Sequence, residues 1–420
     1  MKNSLIISIG LFLLTCKTYG LDVREINLWA EDIRQLQDLI KTQHISPFVN
    51  TGEREFDAQL DKLVVNLPSL NEAEIEVGIM RLMRSIGDAH TSYNIMSGPH
   101  RHYPFRFKYF EEKLKVVNAS ERYAFLLGAD LTGINGYTLE QLQQQLAPYV
   151  NYVENPYSYK ASFSFHITLT NFLYGTGVSN KADSVSYQFM KDGKSTSVNV
   201  DSVSMKEFAR LRSHYTRLMP KIHFSKIELP GIMLAILEKY DTAYLDFDRY
   251  PQFEQLREHC RELTRVIQEG RARNLVIDFR GNNGGDFYVG LALSACIQEL
   301  DQFDWHNGIF VMIDEGTQSA AMINAAQYQQ ILNATLVGSP SGADPNIATE
   351  ANLFRLKNSQ RAVSISKRYY RVIPSPSDAL YPDLNMKTSW EDYKHGKDGA
   401  LLKLLNHIQE KDGGSLARSE

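Results

Sequence analysis

The stretch NLVIDFRGNNGGDFYVGLALSACIQEL, residues 274–300, reads as a strand, a glycine turn and a helix in immediate succession. Leu275, Val276 and Ile277 form a short apolar run, Gly284 and Gly285 interrupt it, and the segment from Phe287 is too long for a strand. The same grammar recurs on both sides. TAYLDFDRY is followed by FEQLREHCRELTRVIQEG, and GIFVMID by a helix holding Ser319 and then by ATLVGS. Strands alternating with helices of this length predict βαβ crossovers on a largely parallel sheet, hence an α/β fold. Catalytic groups in such sheets gather at the carboxyl ends of the strands, where both GNNGG and Ser319 fall.

Upstream the grammar changes. From Val23 to about Arg84, apolar residues recur three or four apart, as in VREINLWAEDIRQLQDLI and LNEAEIEVGIMRLMRSI, which predicts helices. Asn71 followed by Glu74 matches an N-terminal cap, and Gly87 ends the helical section. Between Pro104 and Val203 strand-like runs (KLKVVNA, ADLTGINGY and SVSYQFMKDGKSTSVNV) surround the short amphipathic helix TLEQLQQQLAPYV. The expected organisation is a signal over 1–20, a helical domain over 21–100, a middle α/β module over 101–212, a parallel α/β core over 213–410 and a disordered tail over 411–420.

Composition narrows the function. A net charge of -4 gives no reason to expect nucleic acid or an anionic membrane as partner. MKNSLIISIGLFLLTCKTYG has one Lys, a short apolar run and small residues near Gly20, the pattern of a cleaved secretory signal too short to span a bilayer. The expectation is an exported protein, periplasmic or secreted, without stable membrane insertion; lipid attachment at Cys16 is the alternative. Beyond the signal only Cys260 and Cys296 remain. Two buried free thiols are expected, with a single bridge as the alternative. No His, Cys or carboxylate spacing suggests a metal, and no organic cofactor is implied.

A serine hydroxyl becomes a nucleophile only with a base to take its proton and donors to hold the oxyanion. Ala320, at the mouth of the helix, offers one backbone amide. Gly284 and Gly285 offer others, because the absence of a side chain lets them approach a carbonyl closely. Taken alone, GNNGG is equally a tight strand-to-helix turn and Ser319 equally a helix-starting residue.

NLVIDFRGNNGG closely resembles the arginine-glycine signature of the C-terminal processing (tail-specific) proteases, a superfamily that includes the tricorn core. LMRSIGDAHTSY precedes it, and VMIDEGTQSAAMINAA, LVGSPSGADPN and LYPDLNMKTSWEDYKHGKD follow in the family's order. The resemblance implies a ClpP/crotonase-like catalytic core, with a middle module of which ADLTGINGY is a faint PDZ-like echo. It implies a serine endopeptidase acting on a peptide or protein, with Ser319 as nucleophile and an oxyanion hole from Ala320 and Gly284 or Gly285. The processing branch takes its base from a lysine, but Asp344 stands at the matching position and Met322 replaces a usual Glu. The chain therefore resembles the histidine-dependent branch. His90 in GDAHTSY is the implied base and Asp378 in SPSDALYPD the implied acid, while Asp88 reads as a loop cap. A non-catalytic protein holding an apolar ligand or peptide on the same scaffold is the rival reading.

Overall fold

The computed structural model describes residues 21–213 and 217–416; the expected signal, the lipid-attachment alternative at Cys16 and the last four residues of the expected tail lie outside them. The chain opens with three helices, α1 (Val23–Gln43), α2 (Glu53–Asn66) and α3 (Glu72–Ile86). Asn71 caps α3 through a reciprocal bond pair with Glu74, and Gly87 (φ 100°) ends it in the left-handed region that a side chain would strain. The short strand β1 (Ser92–Tyr93) follows.

A mostly antiparallel sheet comes next, built from β2 (Phe105–Phe110), β3 (Lys113–Ala119), β4 (Asp130–Ile134), β5 (Tyr137–Thr138), β6 (Ser184–Lys191), β7 (Lys194–Asp201) and β8 (Arg212–Ser213). Helices α4 (Leu139–Leu146), α5 (Pro156–His166) and α6 (Thr170–Gly175) lie between its strands, and α7 (Met205–Ala209) after β7. The alternation of Val185, Tyr187 and Phe189 turns one face inward. Those side chains share one apolar cluster with Trp29, Ile33, Leu60 and Met80 of the helices, so the helical section and the middle sheet are built on a common core.

The C-terminal half is built on a six-stranded sheet in the order β16-β13-β12-β11-β10-β9: β9 (Ile232–Leu237), β10 (Thr242–Phe247), β11 (Asn274–Asp278), β12 (Ile309–Ile313), β13 (Thr335–Gly338) and β16 (Leu384–Asn385). Only the edge strand β9 pairs antiparallel. Both faces are buried, as near-continuous apolar strands require. Leu275, Ile277, Val311 and Ile313 face α8 (Phe253–Glu269), α9 (Phe287–Gln298) and α10 (Ser319–Ile331). Val276, Phe310 and Met312 face Leu401, Leu404 and Leu405 of α12 (Gly399–Leu416), which follows the short α11 (Trp390–Lys394). This is the α/β architecture that the alternating pattern predicts.

Three findings depart from the sequence reading. Cys260 on α8 and Cys296 on α9 are joined as a disulfide, their Cα atoms 5.8 Å apart, because the two helices pack side by side on one face of the sheet. Residues 411–416 continue α12 through Gly413 and Gly414 instead of beginning a disordered tail. Finally, the hairpin of β14 (Ala348–Arg355) and β15 (Ala362–Tyr369) leaves the six-stranded sheet and pairs with β1, while α1 packs against it. Arg361 at its tip bonds the fully buried Glu76 of α3 at 2.9 Å.

Candidate active site

The two loops at the carboxyl ends of β11 and β12 are stitched together. Asp314 accepts from the amides of Gly281 and Gly316 at 2.8 and 2.9 Å, and Thr317 donates its hydroxyl to the Phe279 carbonyl at 2.9 Å. The Gln318 amide donates to the Asn282 carbonyl at 3.0 Å. Ser319 then opens α10 with φ 48°, a left-handed conformation that costs a non-glycine residue roughly 1–3 kcal/mol. The tightly bonded turn over-determines that conformation.

Gly284 (φ 100°) lies directly against the serine, where an added Cβ would come within 2.7 Å of Ser319 Cβ. Its own N–H already donates to Asn282 Oδ1 at 2.9 Å. The N–H of Gly285 has no hydrogen bond among the described residues. Ala320, 2% exposed, carries one of the N–H groups that a helix N-terminus leaves unpaired. Of the two glycines named from sequence, Gly285 therefore has the free donor, and Gly284 supplies the clearance.

His90 Nε2 lies 3.1 Å from Ser319 Oγ, although the residues are 229 positions apart. The acid on the other side of the ring is Glu154, not Asp378. Glu154 Oε1 sits 3.4 Å from His90 Nδ1, and its carboxylate is 2% exposed. It also accepts from the Ala89 amide at 3.3 Å and the Asp344 amide at 2.9 Å. Asp378 turns its carboxylate to the Tyr381 hydroxyl at 2.9 Å. Its backbone carbonyl accepts from Asn155 Nδ2 at 2.8 Å and so helps seat the residue beside Glu154.

Thr349 Oγ1 is 3.0 Å from His90 Nε2 and 3.3 Å from Nδ1. The two lone-pair axes of an imidazole diverge, so an oxygen nearly equidistant from both nitrogens lies off the ring between them. It leaves Nε2 aimed at the serine. Burial disfavours a charge on His90, but the Glu154 carboxylate, with Asp88 behind it, outweighs burial and holds the ring above its ordinary pKa of 6.5. Asp344, at the position where the lysine branch has its base, is pushed upward by burial and by the neighbouring Glu154 and Asp378 carboxylates. Asp88 caps its loop, accepting from the Thr91 amide at 2.6 Å.

Glu154 carries no sequence signal for this role. It immediately precedes Asn155, which caps α5, and an acid before a helix is ordinary. Arg280 was likewise given no role by the sequence reading. It bonds both Asp278 and Asp398, fixing the far side of the glycine loop.

Residues 294–373, which include Ser319, match the model of Peptidase family S41. No curated protein matches the sequence. Among solved structures, mature CPAF is similar with a TM-score of 0.66 at 11% identity, over 92% of this chain and 98% of that one. Mature CPAF complexed with lactacystin gives 0.64 at 9% identity, over 91% and 97%. At such identities the likeness is one of fold.

Proposed function

We propose that this chain, whose residues 294–373 match Peptidase family S41, is an exported serine endopeptidase of that superfamily working through Ser319, His90 and Glu154. The observation that carries this reading is the 3.1 Å approach of His90 Nε2 to Ser319 Oγ, with a buried carboxylate on the opposite nitrogen. Ser319 Oγ attacks the scissile carbonyl as its proton passes to His90 Nε2. Glu154 stays ionised, accepts from the Nδ1–H group, fixes the tautomer and stabilises the imidazolium that forms. The amides of Ala320 and Gly285 hold the developing oxyanion. His90 then delivers the proton to the leaving amine, and water releases the acyl group by the same route in reverse.

The disulfide between Cys260 and Cys296 supports export, because such bonds persist in oxidising compartments. No described helix is long and apolar enough to cross a membrane. Peptide or protein substrates, with no nucleic acid and no cofactor, remain the expectation.

Labelling of the full chain with a fluorophosphonate tests the reading. Wild type is expected to label at Ser319, and Ser319→Ala and His90→Ala to lose labelling, the latter by about 10⁴-fold or more in rate. Folded wild type that stays unlabelled, beside a serine hydrolase that reacts, overturns it.

A further inference from the structure

Two residues before His90, Asp88 is 6% exposed, yet its carboxylate gathers three donors from three parts of the chain. The Thr91 amide and the Ser366 hydroxyl reach Oδ1 at 2.6 Å each, and His44 Nε2 reaches Oδ2 at 2.9 Å. The other nitrogen of His44 settles the tautomer. The Ser46 amide can only donate, so Nδ1 accepts from it at 2.9 Å and the ring proton sits on Nε2, facing Asp88. His44 is thus a committed donor to Asp88. Burial alone would raise the pKa of Asp88, but the bonds from His44, Ser366 and Thr91 more than offset it and keep the carboxylate ionised.

The surrounding bonds tie this carboxylate to the loop of His90. Ser366 also donates its amide to Thr91 Oγ1 at 3.2 Å, and its carbonyl accepts from the Ile45 amide at 3.1 Å. One turn further on, the Ser92 and Ser364 hydroxyls meet at 2.8 Å. The end of α1, the loop bearing His90 and β15 therefore converge on a single anion. The reaction described above uses neither His44 nor Asp88, and neither touches Ser319. A well-packed apolar pair would hold three segments together as well or better. It would not supply a fixed negative charge behind the imidazole.

We propose that the buried His44–Asp88 pair is a positioning unit for His90, fixing the loop so that Nε2 meets Ser319 Oγ and setting a second carboxylate behind the ring. This rests on reading His90 as the base. The charged groups facing the imidazole are then Glu154 at contact and Asp88 beyond it. Both favour the imidazolium that the reaction must form.

The test uses fluorophosphonate inactivation of the full chain, with the binding constant and the limiting rate measured separately across pH. His44→Phe removes the donor and is expected to lower the limiting rate about 10²-fold with binding unchanged. His44→Gln keeps an N–H for Asp88 and is expected to recover most of that loss. Asp88→Asn removes the charge, which lowers the pKa of His90, so the acid limb of the rate profile moves to lower pH. A pair that merely braces the fold would change thermal stability and leave that limb in place. The proposal is overturned if folded His44→Phe reacts at the wild-type rate, if Gln and Phe are equally slow, or if the limb of Asp88→Asn does not move. Should His44→Phe fail to fold, Ser366→Ala takes its place, and an unchanged rate there counts against the proposal. Wild type that does not label at all sinks the His90–Ser319 reading instead, and this one with it.

Discussion

The glycine loop 281–285 has a charged cluster on each side, and the two are finished to different degrees. On one side Arg280 is nearly saturated: four of its five N–H groups are used, on Asp278 at 2.6 and 2.9 Å and on Asp398 at 2.7 and 2.8 Å, while the Tyr244 hydroxyl closes Asp278 at 2.7 Å. On the other side the contacts are longer, 3.1 Å from His90 to Ser319 and 3.4 Å to Glu154, and they border a serine in a strained backbone conformation. A nearly saturated network has little bonding capacity to spare, so it holds. A loosely made one retains unused bonding capacity, which a substrate and its oxyanion can take up. On the proposed mechanism the same loop needs both, since its Gly285 amide must stay aimed while the bonds beside it change.

That contrast can be broken or sharpened by substitution. The largest effect is expected for Glu154→Gln, which should lower kcat by about 10⁴-fold at neutral pH, as loss of a triad acid does. Because Glu154 raises the pKa of His90, removing its charge should also move the acid limb of kcat/KM to lower pH. A limb that stays in place would remove Glu154 from the triad. On the nearly saturated side, Asp398→Asn leaves Arg280 short of a partner and should cost about 3–5 kcal/mol in urea unfolding. Its pKa is depressed to about 2 from an ordinary 3.8, because the Arg280 bonds outweigh burial. Its contribution is thus complete above the unfolded value of 3.8 and lost as pH falls through about 2. A variant with wild-type stability at neutral pH would contradict the holding role.

A smaller effect, of opposite sign, is expected at Ser319. Ser319→Gly relieves the left-handed strain and should raise stability by about 1 kcal/mol while abolishing activity, measurable as a higher Tm in an inert protein. Smallest of all, Asp378→Asn should change kcat by no more than about twofold, since its carboxylate faces Tyr381. A large loss there would reinstate Asp378 as the acid.

What could be read from sequence follows the range of the interaction. The alternation of Leu275 to Ile277 with the helix at Phe287, the Asn71–Glu74 cap and the placement of Ser319 after β12 are local patterns, and the structure contains each of them. The motif order brings His90 into view, whereas the carboxylate beside its ring is Glu154 and not the expected Asp378, which faces Tyr381. Glu154 lies 65 positions from Ala89, to which it also bonds, and looks like any acid before a helix. The Cys260–Cys296 bond failed to announce itself for the same reason, depending on how α8 and α9 lie together. The tail was misjudged because Gly413 and Gly414 argue locally for a stop, whereas α12 continues to Leu416.

The pairing of β1 with β15 has a consequence in time as well as in space. A chain made from its N-terminus carries His90, Glu154 and even Ser319 before Ser364 and Ser366, which seat the His90 loop, have been added. Until synthesis passes β15, the residues of the candidate site are present without the strand that seats the His90 loop, so the geometry that joins His90 to Ser319 is completed only by the last third of the chain.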